Sequence, residues 1–148
     1  MNLYLCIRPL SYLMDVEFAL IQACFYGNKA EVQALLARED VKSKVNRGPA
    51  LCAAAHSGDE DVVSILLEHG ADARKNASRA LRVACWRGNS GAARVLLSAG
   101  ADPNAKFNQP MRLARESGMD LSCLLAAGAQ DPEMDDWFQP VIFHMDAF

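Results

Sequence analysis

Along this chain an apolar residue, an alanine three positions later and a glycine four positions after that recur together: Leu20, Ala23 and Gly27; Leu51, Ala54 and Gly58; Leu81, Ala84 and Gly88; Met111, Ala114 and Gly118. The alanines stand 31, 30 and 30 residues apart, so one supersecondary unit is copied four times. Eight and nine residues after the first three glycines come the pairs Leu35-Leu36, Leu66-Leu67 and Leu96-Leu97, and five residues after them Val32, Val63 and Ala93. This spacing describes two short apolar helical faces divided by a glycine turn. Each unit is predicted to be a helix-turn-helix pair. Two such helices cannot bury their leucines alone, so neighbouring units must stack and share one core.

The polar positions mark where the helices start and stop. Asn28, Asp59 and Asn89 follow the repeat glycines, where a side-chain oxygen can accept the first orphan N–H groups of a second helix. Asn28 and Glu31 have the spacing of a capping box. Gly70, Gly100 and Gly128 end the second helices, where an αL residue is needed. Pro49 and Pro110 fall in the first turn of a first helix, where a missing N–H is harmless.

The strings Leu66-Leu67-Glu68-His69-Gly70-Ala71-Asp72 and Leu96-Leu97-Ser98-Ala99-Gly100-Ala101-Asp102-Pro103-Asn104 closely resemble the second-helix and hairpin segment of ankyrin repeats. Ala80-Leu81-Arg82-Val83-Ala84 stands where that family has Thr-Pro-Leu-His-x-Ala. The resemblance covers roughly residues 16 to 131 and implies an all-α ankyrin-type repeat solenoid of about four helix-turn-helix units. It divides the chain into an N-terminal extension or cap (1–14), the array (15–131) and an acidic-aromatic C-terminal cap or tail (132–148). Family units run to about 33 residues, and the shortfall here lies before each first helix, so the projecting fingers are expected to be short. The Thr and His of the usual motif are replaced by Pro49 and Cys52, Arg79 and Arg82, Gln109 and Arg112. This 30-residue form is similar to divergent viral, amoebal and bacterial arrays.

Charge changes the picture locally more than globally. The net charge of −3 predicts neither general nucleic-acid affinity nor membrane attraction. Repeat two, however, carries Asp59, Glu60, Asp61, Glu68 and Asp72 without a base, and repeat three carries Arg74, Lys75, Arg79, Arg82, Arg87 and Arg94 without an acid. Two accounts are open: acids suited to a helix N-terminus with attraction between neighbouring repeats, or an acidic ligand seated on repeat three. No groove-reading motif accompanies the arginines, so nucleic-acid or phospholigand binding stands as the alternative function rather than the first.

Five cysteines with no Cys-x-x-Cys, and Cys24 and Cys85 two units apart at one repeat position, indicate reduced thiols of a cytoplasmic protein. Cys52 and His56 lie one helical turn apart and face Cys85, which permits a zinc site or, more simply, core thiols beside a histidine. No metal or cofactor is assigned. Leu3 to Ile7 is too short for the ~7–15-residue apolar run of a signal peptide, and no stretch approaches the ~18 residues of a membrane span. Residues 1 to 13 read as an extension or as a strap over the first repeat. No catalytic constellation is visible: His56, His69 and His144 hold different repeat positions, and no phosphate-cradling loop or Gly-x-Ser-x-Gly occurs. The chain is not expected to be an enzyme.

The resemblance implies that first helices line a concave face and that the two residues before each repeat glycine point into it. Those columns read Phe25-Tyr26, His56-Ser57, Trp86-Arg87 and Glu116-Ser117. Rings and Arg dominate interface energies once desolvated, although packing between repeats would also account for Phe25 and Trp86. Fingertips add Phe107 and Asn108 to the surface, and Arg79 adds a base. The candidate partner-binding set is therefore Phe25, Tyr26, His56, Ser57, Arg79, Trp86, Arg87, Phe107, Asn108 and Glu116. The expected function is noncatalytic protein binding, as an inhibitor, immunity protein or effector in its own or a host's cytoplasm, with the oligomeric state left open. Residues 131–148 hold five acids, no base, and Trp137, Phe138 and Phe143; capping, recognition and autoinhibition all remain open for them.

Overall fold

The computed structural model describes residues 11–38 and 48–130, apart from the side chains of 11–15 and 76–77. Of the strap or extension read at 1–13, residues 1–10 lie outside the described residues, as does the acidic-aromatic tail. Four helix pairs follow one another: α1 (Ser11–Phe25) with α2 (Lys29–Leu36), α3 (Pro49–Ser57) with α4 (Glu60–Glu68), α5 (Lys75–Arg87) with α6 (Ser90–Ser98), and α7 (Ala105–Ser117) with α8 (Ser122–Ala126). Helix α1 reaches back to Ser11, ahead of the first repeat helix read from the sequence. No strand occurs among the described residues.

The recurring glycine has a backbone cause. In repeats one, three and four the N–H of the residue after it bonds the alanine carbonyl: Asn28 to Ala23 at 2.9 Å, Asn89 to Ala84 at 2.9 Å and Met119 to Ala114 at 2.9 Å. The glycine N–H meanwhile bonds the next carbonyl, as Gly88 does to Cys85 at 3.1 Å. This is the Schellman ending, which requires a left-handed residue at the glycine. Second helices close in the same way, with Ala71 N–H on Leu66 O, Ala101 on Leu96 and Ala129 on Leu124. The buried leucine and the small residue after the glycine are thus parts of one cap.

Inner helices α1, α3, α5 and α7 pack in succession, and outer helices α2, α4, α6 and α8 form the second layer. Between the layers lie Leu20, Leu51, Leu81 and Met111, the four repeat alanines, and Leu36, Leu66, Leu96 and Leu124, all buried. The alanines sit where neighbouring inner helices meet, so a longer side chain there would push repeats apart. In repeat one the fully buried leucine is Leu36, with Leu35 half-buried. The pairing of Leu35 with Leu66 by distance from the glycine is therefore off by one; α2 has eight residues where α4 has nine, and the buried position falls a residue later.

Two of the three predicted second-helix caps are made. Asp59 Oδ1 accepts from Asp61 N at 3.0 Å and Val62 N at 3.3 Å, and Asn28 Oδ1 accepts from Glu31 N at 3.4 Å. The capping box is altered: the Asn28 amide donates to Glu31 Oε2 at 3.0 Å, because the Asn28 backbone N–H is already held by Ala23. Asn89 does not cap α6. Its Nδ2 donates instead to Ala55 O at 2.9 Å and His56 O at 3.1 Å, tying repeat three to the end of α3.

The connections at 69–74 and 99–104 are short, as the repeat length requires. Side chains join them laterally: Arg74 Nε donates to Gly100 O at 3.2 Å, Asn104 Nδ2 to Gly128 O at 3.0 Å, and Asp102 N–H to Ser78 Oγ at 2.8 Å. Ser78 is buried, and its hydroxyl serves this bond. Lys106, Phe107 and Asn108 form a left-handed turn (φ 49, 59 and 60°) that separates the first turn of α7 from the helix holding Pro110.

Candidate protein-binding face

The two positions before each glycine close an inner helix, two and three residues past the buried alanine. Backbone geometry turns them away from the core. Phe25, Tyr26 and Trp86 are 45, 76 and 56% exposed. Phe25 stacks on His56 with centroids 4.8 Å apart and planes 20° off parallel, and His56 stands 6.4 Å from Trp86 at 45°. Three successive repeats thus line up three rings. Tyr26 meets Phe25 edge-on at 5.4 Å, and the Arg87 guanidinium lies 5.8 Å from the Trp86 ring centre. These are favourable quadrupole and cation–π arrangements.

Two recesses flank the row. A cleft of about 430 Å³ is lined by Phe25, Tyr26, Gly27, His56, Ser57, Asp59 and Arg87. A smaller one of about 190 Å³ lies among Arg79, Arg82, Val83, Trp86 and Leu113. The structure therefore brings together seven of the ten candidate residues: Glu116 is exposed on α7 and lines neither recess, while Phe107 and Asn108 lie apart at their turn. Phe107 is 96% exposed. Ser57 contributes little polarity to the face, because its hydroxyl donates to Ala54 O at 2.9 Å.

Arg82, Val83, Leu113 and Asp59 were missed as lining residues. The first two stand four and three residues before Trp86, on one helical face, and Leu113 follows Val83 by one repeat, so the period itself held the signal. Arg82 donates to Gln109 Oε1 at 2.7 Å, which bridges α5 to α7.

Charge on the acidic repeat is directed at both neighbours, Asp59 and Asp61 toward repeat one and Glu60 toward repeat three. Lys29 Nζ pairs with Asp61 and lies 3.6 Å from Asp59, joining repeats one and two. The hydrogen bond to Asp61 is the main cause that raises the Lys29 pKa. Glu60 occupies the space a side chain at Gly91 would need, beside the N-terminus of α6, where a carboxylate is favoured.

Burial pushes the Cys24 and Cys85 thiols up to about 12. Cys52 is raised as well, again chiefly by burial, with Arg79 and Arg82 pulling the other way. The four described cysteines are free. Among the described residues no three His, Cys, Asp or Glu side chains converge as metal ligands, and Cys52, His56 and Cys85 are no exception. No described helix is long and apolar enough to cross a membrane.

Comparison with protein-family models matches residues 19–107 to ankyrin repeats, three copies. The chain belongs to the ankyrin-repeat family. Ankyrin repeats are generally protein–protein interaction modules and typically noncatalytic. The matched stretch ends within the turn at Phe107, so the pair α7–α8 extends the stack beyond it. Comparison with curated proteins returned no match.

Proposed function

We propose that the chain captures one protein partner on the face of its inner helices, which is concave in this family, and acts as an inhibitor, immunity protein or effector by occupying that partner's surface. The observation that carries this reading is the row Phe25–His56–Trp86, three rings in contact across three repeats with two of them about half exposed. Exposed rings gain most when a partner desolvates them. Stacked rings are also already ordered, so less side-chain entropy is lost on binding. The inner face offers contact area and charge and is not a reaction centre. We assign the module to a reducing compartment, its own or a host's cytoplasm, in keeping with two free thiols buried in the core.

Nucleic-acid or phospholigand binding through repeat three has less support. Its arginines do not gather on one surface: Arg74 is bonded to Gly100 O at the connection, Arg79 and Arg82 line the inner-face recess, and Arg94 lines a recess on the outer layer with Asp120 and Cys123.

The test is affinity capture with the wild-type chain beside Trp86→Ala/Arg87→Ala, mass spectrometry of what differs, and titration of that partner. The expected result is a melting midpoint nearly unchanged and capture weakened at least tenfold. A large loss of stability would assign the pair to the core, and equal capture by both chains would sink the reading.

A further inference from the structure

We propose that the inner face of repeats three and four reads an acidic peptide segment bearing an aromatic residue, with the ring entering the recess beside Trp86 and the acids meeting the arginines around it. This rests on the binding-face reading and adds the chemistry of the partner.

Charge is the first argument. Helices α5 and α7 carry Lys75, Arg79, Arg82, Arg87, Lys106, Arg112 and Arg115 against the single acid Glu116, in a chain whose net charge is −3. A local cationic surface on an anionic protein selects and orients an anionic partner. Arg79 and Arg112 are exposed to it.

The shape of the recess is the second. At about 190 Å³ it falls below the roughly 300–1,000 Å³ of a small-molecule site, and it suits one side chain. Val83, Leu113 and the Trp86 indole give it apolar walls, and Arg79 and Arg82 give it guanidinium planes. An aromatic ring uses both, packing on the aliphatic and indole surfaces and stacking on a guanidinium. Arg82 is already held by Gln109 at 2.7 Å, so this wall is pre-organised.

Spacing is the third. Arg112 repeats the position of Arg82 on the next inner helix, and packed helices lie about 8–10 Å apart. An extended peptide rises about 3.3 Å per residue, so acids two or three residues apart meet successive arginine positions, with the ring between them. A longer polyanion fits less well. Asp59 borders the neighbouring cleft and Glu116 takes the place of Trp86 on α7, so negative charge closes the cationic patch on both sides.

The experiment selects random 12-residue peptides displayed on phage against the full-length chain at low and raised salt. Arg79→Glu, Arg112→Glu and Trp86→Ala serve as counter-targets, with Arg79→Gln and Arg112→Gln in reserve should a reversal unfold the chain by circular dichroism. Supporting results are enriched peptides that combine Asp or Glu with Trp, Tyr or Phe, bind at least tenfold more weakly to each variant, and weaken further with salt. Enriched peptides without acids that still need Trp86 overturn the acidic-peptide assignment and leave the binding face standing. Enrichment indifferent to Trp86 and both arginines overturns both. No enrichment, together with arginine-dependent binding of a single-stranded oligonucleotide, overturns the peptide in favour of nucleic acid; no enrichment at all overturns it outright.

Discussion

Gly58 shows how repeats two and three are locked together, and replacing it with alanine measures the lock. The residue has φ +81°, and a Cβ there would fall 2.7 Å from Asn89 Cγ, 2.8 Å from Oδ1 and 2.9 Å from Nδ2. The Asn89 amide must therefore leave, and with it go its two bonds to Ala55 O and His56 O. At about 0.5–1.5 kcal/mol each, those bonds contribute about 1–3 kcal/mol. The left-handed backbone adds about 1–2 kcal/mol for any residue with a Cβ, so Gly58→Ala should destabilise by about 2–5 kcal/mol.

Gly70→Ala is the matched control. Its φ is +93° with nothing within 4 Å of the added Cβ, so only the backbone component of about 1–2 kcal/mol remains. The stiffer unfolded chain gives both variants a similar gain of about 0.4–1 kcal/mol, which cancels in their difference. Urea unfolding followed by circular dichroism at 222 nm reads each value. Asn89→Ala completes a cycle: the double variant should be no less stable than Gly58→Ala alone, because the same bonds are lost only once. Gly58→Ala within about 0.5 kcal/mol of Gly70→Ala, or additivity of the two changes, would refute the inter-repeat role of Asn89.

Leu96→Ala empties a fully buried site in the shared core and should lower stability by about 2–5 kcal/mol in the same assay. Phe107→Ser should stay within about 0.5 kcal/mol of wild type, since the ring is almost wholly exposed. Cys24 and Cys85, raised from 9.0 to about 12 by burial, should resist a thiol-selective reagent at pH 8 in the folded chain and label on unfolding, as peptide mass spectrometry would show. Linkage gives the sign at high pH: the unfolded chain loses these thiol protons first, so stability falls as pH rises from 9.0 toward 12. Asp120 moves oppositely. Its carboxylate accepts from Ser122 N and Oγ, which lowers its pKa. The protection of the Ser122 amide, its exchange rate divided by the intrinsic rate at each pH, should therefore drop as pH falls through that lowered value, and Asp120→Asn should remove that step.

The repeat architecture was legible because its signals are local. Ala23 and Gly27 are two ends of one Schellman cap, and so are Leu66 and Gly70, so spacing along the chain reports hydrogen bonds that close within a few residues. Asp59 was read correctly for the same reason. Asn89 was not: its amide has a local bond and a tertiary one available, and sequence spacing carries no record of the carbonyls of α3. Ser78 and Ser117 failed to announce themselves in the same way. Ser78 accepts from the next connection, and Ser117 Oγ donates to Cys85 O at 2.7 Å across the repeat boundary. On the candidate face the columns were legible and the stacking was not, because ring-to-ring contact depends on the lateral pitch of the helices.

The division of labour within each unit follows from where the cap puts its residues. The alanine of the Ala-x3-Gly segment is buried between inner helices, and the glycine needs its left-handed backbone, so neither can change without disturbing the stack. The two positions between them and the turn carry no such constraint. They can hold Phe-Tyr, His-Ser, Trp-Arg or Glu-Ser at little cost to folding, yet the pitch of the solenoid still sets them side by side. The column is also directional. Rings occupy it in repeats one to three and a carboxylate in repeat four, with the arginines of α5 and α7 beside the change. Under the proposed binding function, a partner lying across the inner helices meets an aromatic end and a charged end, and one of its two orientations satisfies both. On that proposal, orientation is set by the residues that the fold leaves free.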